Sequence, residues 1–128
     1  MRRFTVSRVR SFGHAFDGWW YVLRTQRNAW LHVGITLVIF GVSFWLKLDR
    51  LQWAIIVLTT AMVFAAEFFN TAVEVAVDLA SPDLHPLART SKDVAAAGVL
   101  LSAVAAVVVG LLVLGPPLVE RLQILISP

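Results

Sequence analysis

No cysteine occurs in the 128 residues, which excludes disulfides and thiolate metal sites. Charge is also scarce: 15% of residues are charged against 59% hydrophobic, and the mean hydropathy is +0.78. So little polar surface cannot cover the core of a small soluble domain. The phosphate cradles Gly-x-x-x-x-Gly-Lys-Ser/Thr and Gly-x-Gly-x-x-Gly are missing, as is Asp-Phe-Gly. The start of the chain lacks a short apolar core followed by a small-residue cleavage site, so no secretory signal peptide is expected. There is no internal repeat.

What charge there is lies unevenly. Net charge is +3, and Arg2, Arg3, Arg8, Arg10, Arg24 and Arg27 all precede the first apolar run. With this hydropathy the expected partner of a basic arm is a membrane surface, not nucleic acid. Aromatic residues interleave with the arginines: Phe12, Phe16, Trp19, Trp20 and Tyr21. Residues 1–28 therefore read as an interfacial segment, with an amphipathic helix from Phe12 to Arg27. Gly13 and Gly18 weaken that helix or let another element come close.

Three apolar runs follow within a single domain, 1–128. The first span is expected at 29–46, and Lys47, Asp49 and Arg50 make a tight polar turn. A second run from Leu51 flows without Gly or Pro into an acidic stretch, giving a span of about 51–78. Residues 79–92 read as a loop because of Pro82 and Pro86, and Thr90 with Asp93 reads as a capping box. The third span is 94–114, ended by Gly115, Pro116 and Pro117. The fold class expected is an all-α membrane protein: an N-terminal amphipathic interfacial helix plus three transmembrane helices per subunit. The excess of Arg and Lys before span one and around 79–92 places both on the cytoplasmic side.

The acidic stretch organises the chain. Glu67, Asn70, Glu74 and Asp78 recur at i, i+3, i+7 and i+11, within roughly 80° of one helix face, and Thr71 borders them. A solvated face would explain one such residue better than four. Carboxylates near a bilayer are costly unless they meet cations, water or partners, so the stripe reads as a functional site. Glu67 lies about 24 Å along the helix from Leu51 at ~1.5 Å per residue. The hydrocarbon core is roughly 30 Å thick. Glu67 thus falls near its inner boundary, with Glu74 and Asp78 beyond it. Such a helix reaches both a lipid hydroxyl and a soluble phosphate donor. Carboxylates beside Lys92 are ingredients of phosphoryl transfer.

These residues resemble a known family. Glu67, Asn70, Thr71, Ala72, Val73, Glu74 and Asp78 fit the E-x-x-N-S/T-A-I/V-E-x-x-x-D signature of the prokaryotic diacylglycerol kinases, which include undecaprenol kinases. His85, Leu87, Lys92, Asp93, Ala96, Ala97, Val99 and Leu100 fit its H-x-L-x-x-x-x-K-D-x-x-A/S-A-x-V-L. Weaker matches run from Arg10 to Gly18 and from Gln26 to His32.

The resemblance implies an ATP-dependent lipid kinase of the bacterial cell membrane, a homotrimer with cytoplasmic active sites built between subunits. It implies Glu67 as the base that takes the lipid proton and Asn70 as the polar residue beside it. Glu74 would hold Mg2+ and meet the nucleotide. Lys92 and Asp93 match the pair that meets ATP, with Asp83, His85, Arg10 and His14 near the nucleotide. Gln26 stands where the family has a second metal-holding carboxylate, and His14 where Tyr is usual. Other readings of the chain are a silent scaffold of the same fold or a proton or cation pathway. Taken singly, His32 reads as a satisfied interfacial histidine, Lys92 and Asp93 as helix caps, and Trp19, Trp20 and Trp30 as interface anchors.

Overall fold

The computed structural model describes residues 8–81 and 85–126. It comprises α1 (Arg8–Thr25), α2 (Arg27–Trp45), α3 (Arg50–Ala80) and α4 (Pro86–Ile126), and no strand occurs among the described residues. Helices α2, α3 and α4 are each long and apolar enough to cross a membrane. The expected all-α membrane fold is present.

Helix α1 begins before Phe12 and ends at Thr25. Gly13 and Gly18 do not interrupt it, and no atom of the described residues lies within 4 Å of where their Cβ atoms would stand, so neither serves a close approach within the chain. Gln26 alone separates α1 from α2, with an extended backbone at φ −105° and ψ 112°. Local bonds close the joint: Trp30 Nε1 donates to Leu23 O at 2.8 Å, and Thr25 Oγ1 to Tyr21 O at 2.8 Å. The first satisfies a carbonyl that the last turn of α1 would leave open. Arg24 lies 4.9 Å over the Trp20 ring, at the helix end where a cation is favoured.

The polar turn after α2 is as expected. Lys47 takes a left-handed conformation, φ 55°, which costs an L-residue about 1–2 kcal/mol. Asp49 then starts α3 with a reciprocal capping box: its carboxylate accepts from Gln52 N at 2.8 Å, and Gln52 Oε1 accepts from Asp49 N at 2.9 Å. Beside the turn Leu48, Ile56 and Leu114 form a small core, flanked by Phe40 and Trp53. Trp53 meets the Phe40 and Phe44 rings edge-on at 5.5 and 4.8 Å.

Helix α3 packs mainly on α4. The half-covered face of α4 runs through Ala95, Val99, Ser102, Ala106 and Val109, small enough for the backbones to approach. Its other face leaves Leu100, Leu101, Val104, Leu111 and Leu112 exposed. A helix apolar all round belongs in hydrocarbon.

Helix α4 corrects three expectations. First, it begins at Pro86, so residues 86–92 are helix rather than loop. Proline suits the first helical position because its missing N–H is an orphan there anyway. Second, Thr90 is no cap: its Oγ1 donates to Pro86 O at 3.0 Å, inside the helix. The capping place falls to His85, whose Nδ1 accepts from Leu87 N at 3.2 Å. Third, the helix continues through Gly115, Pro116 and Pro117 to Ile126, 41 residues in all. Each proline forfeits one backbone bond, but stopping would orphan four carbonyls among apolar neighbours. Gly115, lacking Cβ, eases the clash that normally drives a residue before proline out of helix.

Candidate active site

The acidic stripe grades from buried to exposed along α3. Glu67 is 1% exposed, Thr71 3% and Asn70 7%, whereas Glu74 is half-buried and Asp78 exposed. A solvated face is thus excluded for the first two members. Thr71, which the sequence set at the border of the stripe, is buried and donates from Oγ1 to Glu67 O at 3.0 Å. That back-bond keeps its hydroxyl satisfied in the helix. Next to Glu67, Trp19 of α1 stacks on Phe64 at 6.0 Å and meets Phe68 edge-on at 5.0 Å. Trp19 therefore packs α1 on α3 while staying 48% exposed, so the contact adds to the anchor role expected. His32 lies edge-on to Phe64 at 6.3 Å.

Among the described residues, two buried side-chain atoms lack hydrogen-bond partners within the chain: Glu67 Oε1 and Asn70 Oδ1. A buried polar atom left unpaired typically costs about 1–3 kcal/mol. Both acceptors lie on one helix face, one turn apart. Both oxygens are open to a hydrogen-bond donor or a cation.

Above them the stripe meets the α1–α2 joint. Asn70 Nδ2 donates to Glu74 Oε1 at 2.9 Å, and Gln26 Nε2 donates to Glu74 Oε2 at 3.1 Å. Gln26, singled out from the sequence only by resemblance, thus does face Glu74. The cluster holds one carboxylate and two amides, and no group of three or more His, Cys, Asp or Glu converges among the described residues. Turned over, the two amides would add neutral oxygens to the Glu74 carboxylate. Such an all-oxygen set, in which Asn70 Oδ1 is already unpaired, fits a hard ion such as Mg2+ and not a soft one.

At the cytoplasmic end expected for α3, Lys92 Nζ donates to Asp78 Oδ1, linking the end of α3 to the start of α4. The sequence pointed to both residues but not to the pairing. Of the remaining candidates, Asp93 is exposed and 3.8 Å from Arg89, and His85 caps α4. Arg10 is exposed on α1, and His14 Nδ1 lies 3.9 Å from Asp17 on the same helix. None of these four has a hydrogen bond or ion pair to the stripe. Asp83 lies outside the described residues. A groove of about 430 Å³ between α2, α3 and α4 is lined by His32, Thr36, Ile39, Val63, Leu114 and Leu118, among others, and Val63 is one turn from Glu67.

Fold and site together define a helical membrane protein with a buried carboxylate beneath an oxygen-rich cluster. The chain belongs to the prokaryotic diacylglycerol kinase family, whose model matches residues 13–114. It is therefore a phosphotransferase with an alcohol group as acceptor. It is 38% identical over 109 residues to an undecaprenol kinase of Bacillus subtilis, covering 85% of this chain and 89% of that protein. It is 40% identical over 111 residues to a diacylglycerol kinase of Synechocystis, covering 86% of this chain and 63% of that longer protein. A diacylglycerol kinase of Escherichia coli is 26% identical over 108 residues.

Proposed function

We propose that the protein transfers the terminal phosphate of ATP to the hydroxyl of a membrane lipid, at the cytoplasmic face of a bacterial cell membrane. The observation that carries this is Glu67: a buried carboxyl with an unpartnered oxygen, on a spanning helix, one turn from Asn70 and two from Glu74. Glu67 acts as the general base. As the lipid oxygen bonds to the terminal phosphorus, its proton passes to Glu67 and the bond to the bridging oxygen breaks, releasing ADP. Asn70 orients the Glu74 carboxylate. Glu74, Gln26 and Asn70 would hold Mg2+, which would supply neutralisation of phosphate charge. Lys92 exchanges Asp78 for phosphate oxygens, and Asp83, His85, Asp93, Arg10 and His14 lie toward the nucleotide. The working form is a homotrimer with sites between subunits.

As acceptor we favour undecaprenol over diacylglycerol. The Bacillus subtilis relative named for it is matched over more of its length than the Synechocystis diacylglycerol kinase. The groove's apolar lining suits the hydrocarbon chain of either lipid. The test is transfer of label from the terminal phosphate of ATP in detergent, with both lipids side by side. Phosphate should reach undecaprenol faster. Glu67→Gln should lower the rate by about 10²–10⁴-fold with ATP affinity kept. Near-normal turnover of Glu67→Gln would remove Glu67 from the role, and no transfer to either lipid by the parent chain would sink the reading.

A further inference from the structure

Gln26 occupies an unusual place. It is the one residue between α1 and α2, extended and half-buried, and its side chain reaches across to Glu74 on α3. Glu74 is thereby held from both sides by neutral amides, Asn70 on Oε1 at 2.9 Å and Gln26 on Oε2 at 3.1 Å. A carboxylate accepts and never donates, so each amide presents its nitrogen. An amide can also turn over and present its oxygen to a cation, which neither a carboxylate nor an ammonium group can do in both senses.

We infer that Gln26 is a positioning residue that stands in for a cation: it holds the α1–α2 joint on Glu74 when no metal is bound. It then yields its oxygen when one is. The inference rests on the proposed function only in taking Glu74 as the metal-holding carboxylate. A carboxylate at position 26 would make the contrast plain. Two ionised carboxylates at hydrogen-bonding distance in a half-buried place repel, and a cation or a shared proton between them would be needed to close the joint. With glutamine the joint closes by itself, and the site is formed before the metal arrives.

The consequence is read from stability, without turnover. In detergent, the melting temperature of the parent chain should move little between EDTA and Mg2+. Gln26→Glu should melt several degrees lower in EDTA and climb with added Mg2+. The exchange variant Gln26→Glu/Glu74→Gln puts one carboxylate opposite one amide again and should regain the parent's melting temperature in EDTA. Mn2+ titration followed by electron paramagnetic resonance, without nucleotide, should show tighter binding to Gln26→Glu than to the parent chain. If Gln26→Glu yields folded protein only in Mg2+, the exchange variant decides: folded in EDTA it supports the inference, unfolded it overturns it. The inference also falls if Gln26→Glu melts with the parent in EDTA, or if Mg2+ stabilises the parent as strongly as the variant. A parent chain that transfers no phosphate would overturn the proposed function alone, because these measurements need only protein and metal.

Discussion

Glu67 and Glu74 are two turns apart on one helix, about 10 Å along its axis, yet their surroundings differ. Glu67 is enclosed and has an oxygen without a partner, whereas both oxygens of Glu74 are met by amides. A group that will accept a proton needs a free lone pair. A group that holds a cation needs to be oriented and reachable. The proposed roles give the two carboxylates different tasks, and their variants should separate them. Glu74→Gln removes the one carboxylate of the cluster and should nearly silence transfer. Gln26→Glu adds a charge there and should lower the Mg2+ concentration giving half-maximal rate. Titrating both with Mg2+ at saturating ATP and lipid checks this, and an unchanged curve for Gln26→Glu would mean that residue 26 does not act on the metal.

Among the elements, α1 owes its position to very few contacts. Trp19 on Phe64 and Phe68 and the Gln26–Glu74 hydrogen bond tie it and its joint to α3. Phe12, Phe16, Trp20 and Tyr21 remain exposed, as an interfacial helix requires. Each aromatic pair contributes about 0.5–1.5 kcal/mol beyond its buried area. Trp19→Ala should therefore loosen α1 by about 1–3 kcal/mol while leaving α2 to α4 intact. Trypsin should then cut at Arg24 or Arg27 faster than in the parent chain. Equal cutting rates would show that Trp19 does not seat the helix. Helix α4 differs in kind. It is about 60 Å long at ~1.5 Å per residue, twice the hydrocarbon thickness, so an upright α4 extends well beyond the apolar slab.

For the molecule as a whole, the core is small and much of the apolar surface faces outward, from Leu37 and Leu58 to Leu101 and Leu112. Lipid and neighbouring subunits are the two coverings such a surface can take. The proposed homotrimer predicts a protein mass in detergent about three times the 14.1 kDa chain, checked by light scattering corrected for bound detergent. The proposed orientation predicts that Cys placed at Ser11 or Ser91 reacts with an impermeant thiol reagent only from the cytoplasmic side. Cys at Leu125 should react only from outside. Labelling of Ser91→Cys from outside would invert the orientation and deprive the stripe of ATP.

The sequence by itself determined what depends on the chain's own period and on run length. The spacing of Glu67, Asn70, Glu74 and Asp78 puts them on one face whatever surrounds the helix. Apolar runs of sufficient length make spans because hydrocarbon leaves backbone groups no other partner. The position of Gln26 was legible only through resemblance. Its hydrogen bond to Glu74 joins residues 48 apart and depends on how α1 folds back on α3. Tertiary structure also decided that Glu67 is enclosed while Asp78 is not, and that Lys92 spends its charge on Asp78. It gave the start of α4 to Pro86 and His85 instead of Thr90, and carried the helix past Pro116 and Pro117. Local preference misled at these last points because a proline's own cost is one backbone bond. Ending a helix among apolar neighbours costs several, and that comparison involves groups the local pattern does not contain.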